Sequence, residues 1–301
     1  FNKAKGSDLP VVTNIYGSRQ RLCELIKAPV DGFCKSWSAL VEQSKSMSEP
    51  STRLVDAPAD LVQGKLGDLP LITYHEKDAG PYFTSAIFLA KDPDTGIPNL
   101  SFHRSMHVSD DELRVRLGSS HDLAKYQARA EAKGEALEVA LLIGVSPEIF
   151  LAACASIPID WSELNIASTI SGNPIDMYQC ETIDLQVPAT TQIVIEGRIL
   201  PNELRKEGPF GEFLGYYVPE GENHVFEITN VSWQKDALFH SLLCGSSEDL
   251  CPLEAVTAAR TYQHLVNAGL PGIIDVSCAP AFMNTTIKIK QQYEGHAKQV
   301  L

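Results

Sequence analysis

The sequence predicts an α+β protein in which a β-rich middle is flanked by two α/β parts. Hydrophobic residues make up 44% of the chain and charged residues 21%, which is typical of a globular protein. Turn residues and β-type apolar runs are concentrated from about residue 71 onward, whereas helix signals recur near both ends. We therefore expect an N-terminal portion over 1–70, a middle domain over 71–240 and a third part over 241–301.

In the N-terminal portion we expect a short strand at 11–15, a helix from the capping residue Ser18 to Ile26, and a helix at 37–44. Residues 46–50 are predicted to form a connecting loop.

The middle domain begins with strand-like runs separated by strong turn signals. The sequence Asp92-Pro-Asp-Thr-Gly96 is typical of a hairpin turn. A helix is expected at 122–133, because Gly134 can end it, and another from Ser146-Pro147 to about Ser156. The strands predicted here are 71–75, 82–90, 99–108, 137–143, 191–200 and 226–233. In the C-terminal part, a helix is expected at 250–268 and strands at 273–278 and 285–290.

Charge and composition exclude several classes of protein. The net charge of −13 argues against nucleic acid as a partner, because neutralising phosphates needs clustered cations. No apolar run is long enough to span a membrane. The seven cysteines form no CxxC pair, so reduced thiols and a cytoplasmic location are expected. The first residue, Phe1, and the uncapped ending predict an excerpt of a longer chain.

The segment Glu207–Tyr217 is the most unusual in the chain. It places two carboxylates five residues apart around Gly-Pro-Phe-Gly, which excludes a regular helix and predicts a tight loop. Two carboxylates whose environments differ can divide acid and base roles. A solvated acidic surface turn is the alternative, although the aromatic residues of this segment favour burial.

Four further polar residues are candidates. Asn99 and Arg104 lie five residues apart after the hairpin turn, and an arginine can grip a carboxylate with two hydrogen bonds. An edge strand with a surface ion pair is the alternative there. Asn99, His121 and Glu163 would suit Mn²⁺ or Mg²⁺ by ligand type, although His121 and Glu163 could equally be ordinary polar residues.

Together these motifs resemble the UbiD family of reversible decarboxylases. The segment Glu207-Gly-Pro-Phe-Gly-Glu212-x-x-Gly-Tyr216 resembles the family signature, and Asn99-x₄-Arg104 resembles its Asn/Arg motif. Further similar stretches lie at 6–19, 179–197 and 290–298, so the resemblance extends over nearly the whole chain.

The resemblance implies a fold and its cofactors. The middle domain would be a split β-barrel that binds prenylated FMN, and residues 241–301 would begin an incomplete α/β oligomerisation domain. The family also uses a divalent metal (Mn²⁺ or Mg²⁺) and a monovalent cation (K⁺ or Na⁺). The metal ligands fall on Asn99, His121 and Glu163, and cofactor contacts are implied for Asn99, Ser101, Arg104, His121, Ser156 and Ile157.

The resemblance also implies an activity. The catalytic Glu-Arg-Glu residues fall on Glu207, Arg104 and Glu212. Substrate choice would involve Leu253 and Ala255, for which a place in the helix core is the alternative. The expected reaction is reversible, non-oxidative decarboxylation of an aromatic or α,β-unsaturated carboxylic acid. The implied partners are that acid, CO₂, a flavin prenyltransferase that supplies the cofactor, and further copies of the chain in a homodimer or larger oligomer.

Two other function classes remain open at this point. One is a non-catalytic flavin-binding or assembly protein that retains the fold. The other is a metal-dependent hydrolase that uses Glu207 and Glu212, but the Asn99/Arg104 motif has no clear role in that scheme.

Overall fold

The computed structural model describes residues 1–47 and 51–301. The α-helices in these residues are α1 Arg19–Leu25, α2 Phe33–Lys45, α3 Asp122–Lys133, α4 Pro147–Ala153, α5 Glu163–Ser171, α6 Ser247–Asn267 and α7 His296–Val300. The strands in the first half are β1 Val11–Val12, β2 Thr52–Leu54, β3 Leu61–Gln63, β4 Tyr82–Phe83, β5 Ile87–Lys91, β6 Pro98–Phe102, β7 Ser105–Ser109, β8 Glu112–Val115 and β9 Leu137–Ile143. The strands in the second half are β10 Ile175–Gln179, β11 Gln186–Pro188, β12 Ile193–Glu207, β13 Phe210–Gly211, β14 Tyr217–Val218, β15 Gly221–Gln234, β16 Phe239–His240, β17 Ile273–Ser277 and β18 Thr286–Ile289.

A nine-stranded antiparallel sheet that curls into a half-barrel forms the centre of the fold, which is α+β as predicted. Its strand order is β4-β7-β8-β15-β12-β9-β5-β6, and β3 pairs with β15. The longest pair, β12 and β15, changes register between Glu196 and Gly197. Such irregularities bend a strand and increase its twist. A Cβ at Gly197 would lie 2.2 Å from the carbonyl oxygen of Glu227, so only glycine permits this close approach.

Both faces of the sheet are buried. In β9, Leu141 and Ile143 face one hydrophobic cluster, whereas Ala140 and Leu142 face the other. This alternation follows from the two-residue period of a strand. Helix α3 covers the first face, and helices α1, α2, α4, α5 and α6 contribute to the second cluster.

The two ends of the described chain pack together. Strand β1 pairs in parallel with β16, and α2 packs against both α5 and α6. The buried carboxylate of Glu248 accepts hydrogen bonds from the backbone N–H of Ile15 (2.7 Å) and contacts Nε2 of His240 (3.0 Å). Within the described ranges, no helix is both long and apolar enough to cross a membrane.

Several sequence predictions are confirmed. Helix α3 has the predicted bounds and ends at Gly134 in the left-handed conformation (φ 71°). Strand β9 matches the predicted 137–143, and the turn at 92–96 joins the antiparallel strands β5 and β6. Ser146 and Pro147 begin α4 as expected.

Other predictions are wrong or incomplete. Residues 71–75 form no strand: the Ile72 carbonyl accepts from the N–H of Tyr82, and the backbone groups of His75 are bonded within a local turn to Asp78, so no strand ladder develops. The single strand predicted at 99–108 is interrupted at 103–104, where the chain turns from β6 into β7. Helix α4 ends at Ala153 rather than Ser156, and β12 continues to Glu207. Of the predicted 46–50 loop, residues 48–50 lie outside the described residues.

Candidate active site

Arg104 lies at the interruption between β6 and β7, and its guanidinium joins two carboxylates. Nε and Nη2 donate to the two carboxylate oxygens of Glu207 at 3.1 and 2.8 Å. Nη1 donates to Glu212. The guanidinium also lies 4.7 Å above the ring of Phe210. Because its N–H donors form a planar fork, arginine can bind one carboxylate through Nε and Nη2 and a second through Nη1. We call Arg104, Glu207 and Glu212 the Arg104 cluster.

Glu207 is the fixed member of the Arg104 cluster. It is the last residue of β12, and only 1% of it is exposed. The hydroxyl of Tyr82 donates to it at 2.7 Å and Nδ2 of Asn223 at 2.9 Å. Burial, reinforced by Glu207, raises the pKa of Tyr82, so the phenol remains a donor. The alternative of a solvated surface turn therefore does not hold for Glu207, since it is buried and each of its carboxylate oxygens accepts two hydrogen bonds.

Glu212 is the more accessible carboxylate, with 27% of its side chain exposed. The predicted loop is in fact a small hairpin, in which Phe210–Gly211 pairs with Tyr217–Val218 and residues 212–216 make the turn. The carboxylate of Asp78 holds the hairpin by accepting from the N–H of Gly211 at 2.8 Å. A Cβ at Gly211 would lie 2.6 Å from Nδ1 of His75.

A second polar site lies on β6 and the start of α5. Nδ2 of Asn99 donates to Glu163 at 3.2 Å, and the N–H of Leu100 donates to its other carboxylate oxygen at 2.9 Å. Glu163 is 3% exposed, and within residues 1–47 and 51–301 no lysine or arginine pairs with it. Burial raises its pKa to about 8. A buried carboxylate held only by neutral groups is suited to receive a cation.

Asn99, His121 and Glu163 line one cavity of about 410 Å³, which we call the Glu163 pocket. The other predicted cofactor residues Ser101, Ser156 and Ile157 line it too, whereas Arg104 does not. Among the described residues no cluster of three or more His, Cys, Asp and Glu side chains could hold a metal. The predicted set is of a different kind, because one of its three ligands is an amide.

Side chains behind the Glu163 pocket hold Asn99 in place. The hydroxyl of Ser101 lies 2.9 Å from Oδ1 of Asn99 and 3.0 Å from Nε2 of His103. Burial lowers the pKa of His103 to about 3, so its imidazole is neutral. Nothing in the sequence pattern distinguished His103, Tyr82 or Asn223, because their partners are set by strand register.

A small cavity of about 70 Å³ adjoins the Glu163 pocket. The two share Phe102, Cys154 and Leu253. Leu253 thus faces both spaces, whereas Ala255 is buried in the helical core. The small cavity also contains Asp249, whose pKa is raised by burial and by the nearby Glu212 and Glu248. Sequence reasoning missed Asp249.

The chain is similar in sequence to known proteins. Residues 52–247 match the model of the UbiD family, described as a 3-octaprenyl-4-hydroxybenzoate carboxy-lyase Rift-related domain. Over 300 residues the chain is 31% identical to the anhydromevalonate phosphate decarboxylase of Methanothermobacter thermautotrophicus. The alignment covers 99% of this chain and 70% of that protein. A protein of Rhodospirillum rubrum without an assigned function is 30% identical and is covered to 66%.

Solved structures show the same fold. HmfF from Pelotomaculum thermopropionicum, a UbiD-class enzyme, superposes with a TM-score of 0.92 at 34% identity, over 100% of this chain and 71% of HmfF. That structure is an evolved dimeric form in complex with prenylated FMN, and a second HmfF structure contains FMN. Vanillic acid decarboxylase from Sedimentibacter hydroxybenzoicus has a TM-score of 0.82 at 25% identity, over 99% of this chain and 66% of that chain. The chain belongs to the UbiD family of carboxy-lyases.

Proposed function

We propose that the protein is a reversible, non-oxidative decarboxylase of an aromatic or α,β-unsaturated carboxylic acid that works with prenylated FMN. The observation that carries the proposal is the Arg104 cluster, in which one arginine is bonded to a buried and an accessible carboxylate. HmfF, which shares the fold at 34% identity, has been solved with prenylated FMN.

The residues of the Glu163 pocket fit such a cofactor. Its volume of about 410 Å³ lies within the range of cofactor sites. Asn99, His121 and Glu163 would hold Mn²⁺ or Mg²⁺ through oxygen and nitrogen donors. The metal would in turn hold the flavin phosphate, which a chain of net charge −13 otherwise disfavours. Ser156 and Ile157 would contact the cofactor and lie near the monovalent cation, K⁺ or Na⁺.

Prenylated FMN, when bound, supplies the electrophile that the acid adds to and delocalises the charge left when CO₂ departs. The chain's own residues orient the substrate. Glu207 occupies the Nε–Nη2 edge of Arg104 and is buried, so this pairing persists. Glu212 occupies only Nη1 from a partly exposed turn. A substrate carboxylate therefore takes the place of Glu212 on Arg104.

Once displaced from Arg104, Glu212 is free to carry a proton. We assign it as the general acid that protonates the carbon left by CO₂, and as the base in the reverse direction. Phe210 and Phe213 flank it in the sequence, and Phe210 is buried beneath Arg104. These rings help to exclude water from the reacting carboxylate.

Substrate choice is assigned to the small cavity that contains Leu253 and Asp249. The substrate itself is proposed only as a class. Cofactor supply by a flavin prenyltransferase and assembly into a homodimer or larger oligomer belong to the same proposal, which HmfF supports by its dimeric form.

The test is to produce the full-length protein with and without a flavin prenyltransferase. We expect the co-produced protein to carry a modified flavin spectrum and to release CO₂ from members of a panel of aryl and enoic acids, or to exchange H for D. Protein made without the prenyltransferase is the control and is expected to be inactive. A co-produced protein with unmodified FMN, or none, and no exchange on any acid would refute the proposal. Of these outcomes, bound but unmodified FMN would favour a non-catalytic flavin-binding role.

A further inference from the structure

We propose that Arg260 binds the phosphate of the flavin cofactor; this rests on the proposed function. Arg260 lies on α6, seven residues after Leu253, so both side chains are on the same face of the helix. Both line the Glu163 pocket, together with Asn99, His121 and Glu163. Of the described residues that line this pocket, Arg260 is the only lysine or arginine.

The guanidinium of Arg260 is held at the pocket but is not neutralised there. Nη1 donates to the hydroxyl of Ser156 at 2.6 Å. Within residues 1–47 and 51–301, Arg260 forms no salt bridge with a carboxylate. A surface arginine of an acidic protein has many possible carboxylate partners, yet this one is bonded to a neutral hydroxyl. No other side-chain hydrogen bond of its guanidinium is formed with the described part of the chain, so its remaining N–H donors can bind a phosphate with two parallel hydrogen bonds.

The charges of the pocket are compatible with an arginine at the phosphate. A divalent metal bound by the Glu163 carboxylate leaves about one positive charge, whereas a phosphate monoester carries about two negative charges at neutral pH. The carboxylate of Asp122 also lines the pocket, but Lys125 pairs with it at 2.7 Å. The proposed monovalent cation and Arg260 are the further positive charges available to the phosphate, and Arg260 is the one that the chain itself supplies.

Arg260 also lies between the Glu163 pocket and a second cavity of about 370 Å³, which is lined by Trp37, Lys45 and Trp161 among others. In that cavity Lys45 lies 4.3 Å from the ring of Trp161. The contact with Ser156 keeps the guanidinium at the boundary with the Glu163 pocket. The two flavins compared below differ only in the phosphate, so they separate phosphate binding from a role in shaping either cavity.

The test compares FMN with riboflavin, which lacks the phosphate, in the full-length, Mn²⁺-loaded protein. Binding is followed by flavin fluorescence for the wild type, Arg260→Gln, Arg260→Lys and the control Arg198→Gln. Arg198 does not line the pocket and pairs with Glu138. We expect Arg260→Gln to weaken FMN binding about 10- to 100-fold, as for a lost charge-assisted hydrogen bond, and to leave riboflavin binding unchanged. Arg260→Lys should retain part of the affinity, and Arg198→Gln all of it.

The salt dependence of FMN affinity provides the second measurement. It should be steeper for the wild type than for Arg260→Gln, because one ionic contact is lost. Equal FMN affinity and equal salt dependence in the two proteins would overturn the inference. An equal loss for FMN and riboflavin would also overturn it, since that indicates altered cavity shape. A wild type that binds neither flavin would instead refute the proposed function.

Discussion

The Arg104 cluster and the Glu163 pocket both contain a buried glutamate, but only the first is neutralised by the chain. Glu207 has a bidentate arginine and two further donors, whereas Glu163 has an amide and a backbone N–H. Burial accordingly raises the pKa of Glu163 to about 8. The difference teaches that the chain itself neutralises one buried glutamate, whereas the other has only neutral partners among the described residues and is suited to the proposed cation.

The largest effect is expected from breaking the neutralised site. Arg104→Ala leaves the Glu207 charge buried without a cation, so the free energy of unfolding should fall by about 3–5 kcal/mol, measured by urea unfolding. Arg205→Ala is the matched control, because Arg205 pairs with Glu112 and Glu203 at the exposed surface and should cost less than about 1 kcal/mol. Similar small losses in both variants would show that the Arg104 cluster is not a buried ion pair.

The Glu163 pocket should respond to metal instead. Mn²⁺ at about 100 times its Kd should stabilise the wild type by about 2.7 kcal/mol, and a chelator should reverse this. Glu163→Gln keeps a polar side chain at the site and should abolish most of the gain, because the carboxylate ligand is lost. Glu135→Gln, at an exposed position, should keep it. Retention of the full Mn²⁺ effect in Glu163→Gln would disprove the ligand assignment.

The hairpin that carries Glu212 can be strained directly. Gly211→Ala brings a Cβ to 2.6 Å from His75, and overpacking of this kind costs about 1–3 kcal/mol. Gly80→Ala is the control, since among the described residues, its chain neighbours apart, no atom lies within 4 Å of its Cβ position. Thermal unfolding measures both. If His75 is the obstacle, His75→Ala combined with Gly211→Ala will lose less stability than the two single changes added together.

The smallest effect is a pH dependence at Asp249. Its folded-state pKa is raised, first by burial, so the native state binds this proton more tightly than the unfolded chain. Its stabilising contribution is therefore present at low pH and is lost as pH rises from the unfolded value of about 3.9 through the raised folded value. Asp249→Asn should gain stability relative to the wild type over that rise, measured by urea unfolding at several pH values. A constant difference would contradict the raised pKa.

Local sequence signals predicted the helix boundaries best at residues that typically begin or end a helix. Gly134 ends α3 and Ser146-Pro147 begins α4 as expected. The start of α5 was missed, although Ser162 caps it by accepting from the N–H of Leu164. The strand predicted at 71–75 failed because apolar alternation does not reveal whether a partner strand is available.

The candidate site depended on long-range contacts that spacing cannot reveal. Arg104 and Glu207 are 103 residues apart, and in the sequence only the family resemblance predicted that they belong to one site. Tyr82 and Asn223 reach Glu207 from β4 and β15, so their role depends on how the sheet curls. Arg260 and Asp249 lie in a helix whose composition is unremarkable, and only the cavities distinguish them.

The proposed decarboxylation mechanism depends most directly on Glu212 as the proton donor. Turnover of an acid that the wild-type holoenzyme decarboxylates should be measured in Glu212→Gln, together with its flavin content and thermal stability. We expect CO₂ release to fall about 10²- to 10⁴-fold, the usual contribution of a general acid, while flavin content and stability remain close to those of the wild type. Unchanged turnover in Glu212→Gln with full flavin content would contradict the assigned mechanism.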